Sequence, residues 1–303
     1  MVGYLFAGQG SQYIGMGKSL YEAFPQAKAV FDQADQALGF SLSKLCFEGP
    51  QEELTRTNNC QPAIVTATIA AWEAYKSLNA LDDQSFAAGL SLGEYSALVA
   101  VGAIKFEDAV YLVRRRGEFM EEEAGRRPGK MLSIIGLDNT LVKEISREAG
   151  VEVANLNSPG QTVVSGSAGN IIKAQALAKE KGAKMAIVLD VSGASHSSFM
   201  SGAAEKLKTE LSRVKISAPK IPVISNVTAK PAASEDEIKE NLVRQVASSV
   251  LWEDSMRFML SGGAKNFIEF GPGKVLKGLM RRISAEASVK TIEKKEDLIS
   301  EGA

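Results

Sequence analysis

The sequence predicts an α/β protein in which a domain built on a parallel sheet is interrupted by a smaller sheet unit. Three observations lead there. Short apolar runs alternate with helical patterns on both sides of the chain's middle, the order that builds a parallel sheet covered by helices. Between residues 127 and 190 the order becomes β-α-β-β-α-β, that of a ferredoxin-like unit. A chain of 303 residues with 45% hydrophobic content is long enough for one large domain carrying an insert. The expected organisation is a main domain from 1–126 and 191–303, with 127–190 as an inserted subdomain.

Taken in order, residues 2–7 form a short buried strand, stopped by Gly8-Gln9-Gly10-Ser11-Gln12. A helical pattern runs from about 17 to 38, and two more cover 51–56 and 62–78. Residues 85–90 are small and apolar, a strand entering a serine turn. Residues 92–101 form a helix ended near Gly102, and 106–124 form another. Within the insert, strands are expected at 130–136, 151–156, 161–167 and 184–190, with helices at 139–149 and 171–181. Asn157-Ser158-Pro159-Gly160 supplies the turn between the middle two strands. Beyond it come a helix to about 213, a strand at 221–226, helices at 235–246 and 252–261, and a final strand at 267–270. Gly271-Pro272-Gly273 then turns into a helix at 274–283.

Charge and composition exclude several functions. Thirty-five Lys and Arg nearly cancel 36 Asp and Glu, leaving no basic field for nucleic acid or an anionic membrane. The opening residues lack the basic region and long apolar core of a secretory leader. No apolar run is long enough to span a bilayer. Cys46 and Cys60 form neither a C-x-x-C pair nor a disulfide framework, and with a single histidine they are too few for a zinc site. A cytoplasmic, monomeric protein with no metal and no tightly bound cofactor is expected.

The chemistry concentrates in a few places. Gly89-Leu90-Ser91-Leu92-Gly93 is the only G-x-S-x-G in the chain. A serine on a sharp strand-to-helix turn becomes a nucleophile once a base takes its proton, and small residues two places either side keep the turn clear of the strand and helix. The N–H of Leu92 and the positive end of the following helix would face a developing oxyanion. Without chemistry, the same five residues are a glycine-bracketed turn. His196, the only histidine, is the one neutral-pH base available to Ser91. Its orienting partner is open: Asp190 ends the strand leading to it, and a neutral backbone or amide carbonyl serves as well.

Arg116 lies on the apolar stripe of its helix, with Leu112, Val113, Phe119 and Met120 three and four residues away. An inward arginine needs an anionic partner. The helix alone favours an internal carboxylate as that partner, or a side chain that snorkels its charge out to solvent, over a substrate carboxylate clamped bidentately. Gly8-Gln9-Gly10 is no phosphate loop, since Tyr13 stands at the third glycine and no Gly-Lys-Ser/Thr follows. It is a plain turn or the donor of a backbone N–H to a reacting carbonyl. Gly271-Pro272-Gly273-Lys274 also lacks P-loop spacing.

Together these stretches resemble one family, the malonyl-CoA:acyl-carrier-protein transacylases, including the acyltransferases of polyketide synthases. The matching segments are Phe6–Gln12, Gly89–Tyr95, Arg116-Gly117, Asn155–Gly160, Ser195-His196, Gln245 and Gly271–Leu276, spanning nearly the whole chain. The resemblance implies an α/β-hydrolase-like domain with a ferredoxin-like insert. It implies Ser91 as nucleophile, His196 as base then acid, and Gln245 holding the imidazole through its side-chain carbonyl. It implies Gln9 and Leu92 as oxyanion-hole donors and Arg116 as partner of the malonyl carboxylate, against the internal pairing that the helix alone favours. The implied reaction is ping-pong transfer of malonyl from malonyl-CoA to the phosphopantetheine thiol of an acyl carrier protein, in fatty-acid or polyketide synthesis. Lys184, Arg281 and Arg282 are candidate contacts for the acidic carrier. Two departures bear on acyl selectivity: Leu90 where the family usually has histidine, and Ser195 where many malonyl-selective synthase members have phenylalanine. The competing functions are a serine hydrolase or thioesterase clearing acyl chains from carriers, for which an inward cation has no use, and a non-catalytic protein that docks carriers.

Overall fold

The computed structural model describes residues 1–82, 84–232 and 234–299. Its strands are β1 (Val2–Phe6), β2 (Phe86–Gly89), β3 (Lys130–Ile135), β4 (Glu152–Ser158), β5 (Gln161–Gly166), β6 (Met185–Val188), β7 (Asn266–Phe270) and β8 (Ser288–Ile292). They form two sheets. The main sheet has the order β2-β1-β7-β8 with every pair parallel. A parallel sheet is covered on both faces, so its strands are apolar throughout rather than alternating. Tyr4 and Phe6 of β1 accordingly enter one core with Trp72 and Phe270, while Leu5 enters another with Phe267 and Trp252.

The second sheet has the order β4-β5-β3-β6, all antiparallel. Helices Asn139–Ala149 and Ala168–Glu180 pack on it through Val142, Ile145, Ile171 and Ala174, against Leu132, Ile134 and Val164. The α/β architecture with a ferredoxin-like sheet is thus observed as expected. The two sheets are stitched together at the loop that carries His196. Ser165 Oγ on β5 donates to the Ser195 carbonyl at 2.6 Å, and the Glu152 carboxylate on β4 accepts from Ser198 N–H at 3.0 Å and Ser198 Oγ at 2.6 Å. Val250 N–H donates to the Ala154 carbonyl at 2.8 Å, and Leu156 N–H to the Val250 carbonyl at 2.9 Å.

Several expected elements differ. The helix at 17–38 is two helices, Lys18–Ala23 and Pro25–Leu38, because Phe24 is extended (φ −127°, ψ 117°), as a residue before proline tends to be. Leu42–Glu48 is an additional helix, and Thr57–Leu78 starts five residues early with Pro62 inside it. The segment at 221–226 is no regular strand. It meets β2 through two hydrogen bonds, Ala87 N–H to the Pro222 carbonyl and Ile224 N–H to the Ala87 carbonyl, both 2.9 Å. Pro222 has no N–H to extend a ladder. Phe267–Phe270 is not the final strand, since β8 follows as an edge strand. After His196 the chain makes one 3₁₀ turn, Ser198–Met200, before the helix Ser201–Leu211. Among the described residues, no helix is long and apolar enough to cross a membrane.

The turn from β2 into the helix Gly93–Ala100 positions the serine, and it is too tight for side chains at its flanks. A Cβ on Gly93 would lie 2.2 Å from the Phe6 carbonyl oxygen, and one on Gly89 would lie 1.9 Å from the Gly93 backbone. Neither neighbour is a side chain that could move aside. Gly93→Ala is therefore expected to cost about 3 kcal/mol or more. Guanidinium unfolding checks this, and an unchanged midpoint would contradict the packing described.

Candidate active site

Ser91 stands at the tip of that turn with φ 52°, a left-handed backbone that costs a non-glycine residue of order 1–3 kcal/mol. The turn is braced from behind. Ser91 N–H donates to Asn226 Oδ1 at 2.6 Å, and Asn226 Nδ2 donates to the Gly89 carbonyl at 2.8 Å. Asn226 arrives there because its segment leaves β2 after Ile224.

His196 also has a positive φ, 59°. Its Nε2 lies 2.8 Å from Ser91 Oγ, and its Nδ1 lies 2.7 Å from the main-chain carbonyl of Gln245. A carbonyl only accepts, so Nδ1 carries the proton and Nε2 is left to accept from the serine hydroxyl. The orienting partner is thus a neutral carbonyl, but a main-chain one. The side-chain carbonyl of Gln245, expected against the ring, is elsewhere because that amide is already engaged. Its Oε1 accepts from Arg116 Nη2 at 3.2 Å, and its Nε2 donates to the Ser91 carbonyl at 3.0 Å and to Glu94 Oε2 at 2.6 Å. Burial, with the Arg116 charge adding to it, pulls the His196 pKa from 6.5 to about 4, against the opposing pull of the Gln245 carbonyl. The imidazole is neutral at neutral pH.

Arg116 is only 1% exposed. Its Nη1 donates to Gln61 Oε1 at 2.9 Å, and its Nη2 donates to Ser91 Oγ at 3.2 Å as well as to Gln245. The guanidinium lies 5.8 Å from the centre of the Tyr95 ring, and Nε finds no protein partner among the described residues. No ion pair among the described residues includes Arg116, whereas its neighbours Arg114 and Arg115 both pair with Glu118. The internal carboxylate that the helix pattern favoured is therefore not found. Desolvation by burial is the main force holding the Arg116 pKa below its usual value.

Glu94, 3% exposed, also receives Asn226 N–H at 3.2 Å. Burial lifts its pKa from 4.5 to about 7, opposed by these hydrogen bonds and by Arg116. Leu92 is fully buried at the helix start, and exposed Gln9 is touched by Gln61 Nε2 at 3.5 Å. Lys184, Arg281 and Arg282 are exposed, with Arg282 donating to Gln161 at 2.9 Å. Among the described residues no cluster of three or more His, Cys, Asp or Glu is placed to hold a metal ion.

Glu94, Asn226 and Gln61 were not anticipated. Glu94 left a signal: it is the one charged residue in a helix buried from Gly93 to Leu98, so its carboxylate had to meet the interior. Asn226 and Gln61 left none, because isolated amides carry no periodicity or motif.

The acyl transferase domain family matches residues 3–296. The chain is 50% identical over 288 residues to the malonyl CoA-acyl carrier protein transacylase of Bacillus subtilis (strain 168), covering 93% of this chain and 90% of that one. Among solved structures it resembles the malonyl CoA-acyl carrier protein transacylase from Coxiella burnetii, with a TM-score of 0.95 and 38% identity over 98% of this chain and 95% of that one. It also resembles a malonyl-transacylase in complex with its type II PKS acyl-carrier protein, with a TM-score of 0.95 and 38% identity over 99% and 98%.

The single histidine makes one titration unambiguous. By NMR the His196 ring is expected to titrate near 4, well below the 6.5 of a free imidazole. In that window the unfolded chain binds a proton that the native one does not, so this residue's contribution to stability falls as pH drops from about 6.5 towards 4. A midpoint at or above 6.5 would contradict the buried, cation-facing ring.

Proposed function

The chain belongs to the acyl transferase domain family and is an acyltransferase, and we propose that it transfers a malonyl group from malonyl-CoA to the phosphopantetheine thiol of an acyl carrier protein. One observation carries the substrate: a buried guanidinium without a carboxylate partner among the described residues sits 3.2 Å from Ser91 Oγ, itself 2.8 Å from a neutral imidazole nitrogen. The named activity of the relatives and the carrier complex of one of them support the same reading.

In the first half-reaction the Ser91 hydroxyl gives its proton to His196 Nε2 and attacks the thioester carbonyl. The oxyanion is met by the backbone N–H groups of Gln9 and Leu92, the latter at the positive end of a helix. Collapse breaks the C–S bond, and His196 returns the proton to the departing CoA sulfur, leaving a malonyl-serine ester. In the second half His196 takes the proton of the carrier's thiol, the sulfur attacks the ester, and the proton goes back to Ser91 Oγ. Nδ1–H donation to Gln245 keeps the ring in the required tautomer and supports the imidazolium. The free carboxylate of malonate pairs with Arg116. An acetyl thioester would leave that cation buried and unpaired, a penalty of about 1–3 kcal/mol or more.

The catalytic domain is 1–126 with 191–303, and 127–190 is the subdomain that braces the histidine loop. CoA enters as a substrate thioester and no tightly bound cofactor takes part. The protein works as a monomer, and its carrier is free-standing or within a synthase.

Intact-protein mass spectrometry after brief incubation with malonyl-CoA is expected to show a malonyl adduct in the wild type and none in Ser91→Ala or His196→Ala. Added carrier bearing phosphopantetheine should discharge the adduct far faster than water does. No adduct would point to carrier docking, and discharge by water at the carrier's rate would point to a hydrolase; either overturns the transferase reading.

A further inference from the structure

Resting on that reading, we propose that Glu94 is a positioning residue for malonyl transfer: its carboxylate fixes the Gln245 amide with Oε1 towards Arg116, and so holds the guanidinium in place for the substrate carboxylate. The oxygen and nitrogen ends of a primary amide have nearly the same shape, and only the surrounding donors and acceptors distinguish them. On one side of Gln245 is a pure donor, Arg116 Nη2 at 3.2 Å. On the other are two acceptors, the Ser91 carbonyl at 3.0 Å and Glu94 Oε2 at 2.6 Å. Reversed, the amide would set its oxygen against two oxygens and its NH₂ against a cation. Glu94 Oε2 meets two donors, Gln245 Nε2 and Asn226 N–H, which suits its ionised form, and a charge-assisted hydrogen bond is about twice as strong as a neutral one.

The same carboxylate oxygen receives Asn226 N–H at 3.2 Å, and Asn226 holds Ser91 N–H at 2.6 Å. One buried group thereby ties the segment behind the nucleophile to the residue that carries the guanidinium's acceptor. Glu94 does not touch Ser91 Oγ, His196 or Arg116 through any hydrogen bond, so its effect on the guanidinium passes through Gln245, and a glutamine at position 94 keeps a carbonyl oxygen for Asn226 N–H. A glutamine at position 94 could offer its own NH₂ to the Gln245 amide. The amide could then reverse and withdraw the acceptor from Arg116. Acetyl transfer makes no use of the guanidinium and would be spared.

The test is the rate of acyl-serine formation, by rapid quench and intact mass, from malonyl-CoA and from acetyl-CoA. Wild type, Glu94→Gln, Glu94→Asp, Gln245→Ala and Glu94→Gln/Gln245→Ala are compared, with folding checked by circular dichroism. Glu94→Gln is expected to slow malonyl loading about tenfold while acetyl loading stays within about twofold. In the Gln245→Ala background the added Glu94→Gln change should alter malonyl loading by less than about twofold, because the residue acts through that amide. Glu94→Asp, which keeps the charge, should recover part of the malonyl rate, and it carries the comparison if Glu94→Gln does not fold. Equal loss for both acyl groups, no loss, or an undiminished effect without Gln245 would overturn the proposal. A wild type that forms no malonyl-serine would instead overturn the transferase reading on which it rests.

Discussion

Arg116 carries a positive charge into the interior at 1% exposure, and the site is organised around that cost. Removing a guanidinium from water is expensive unless strong acceptors replace the solvent. The replacements here are neutral: Gln61 Oε1, Gln245 Oε1, Ser91 Oγ and the face of Tyr95. A carboxylate in direct contact would stabilise the protein better, but it would occupy the charge that we propose receives the substrate's carboxylate. The amides hold the cation without neutralising it. The nearest buried carboxyl group, Glu94, is one amide removed, which leaves the guanidinium without a carboxylate in direct contact. The same field favours a neutral His196, the form in which a base can accept a proton.

The 2.8 Å contact between Ser91 and His196 joins two separately built parts of the fold. Ser91 is delivered by the main sheet, through a turn whose flanking glycines touch backbone. His196 is delivered by a loop gripped by the second sheet, through Ser165 on β5 and Glu152 on β4. Both residues have φ near 55° on the left-handed side, so each is held by its surroundings and not by its own preference. The second sheet thus helps to place His196 beside Ser91 although it contributes neither residue.

Much of this was legible in the sequence, for identifiable reasons. The helices Asn139–Ala149, Glu235–Val246 and Trp252–Ser261 fall where their periodicity put them, since each shows one apolar face. Ser91, His196 and Arg116 stood out because a glycine-bracketed serine, a lone histidine and a misplaced arginine are each visible without coordinates. What failed was contact at a distance. The Pro222 segment looked like a strand because it is apolar, and β8 escaped because a short edge strand with exposed Ser288 and Lys290 resembles a loop. A sequence cannot tell which carbonyl of Gln245 faces the histidine. Only the packing of Arg116 and Glu94 takes the side chain away and leaves the backbone to serve.

The proposed role of Arg116 as the receptor for a free carboxylate is tested by kcat/KM for malonyl-CoA and acetyl-CoA in the wild type and in Arg116→Ala. The wild type is expected to favour malonyl by a factor on the order of 100, and in the variant malonyl transfer should fall by a similar factor while acetyl transfer holds or rises. An equal fall for both substrates, or a wild type that prefers acetyl, would contradict it.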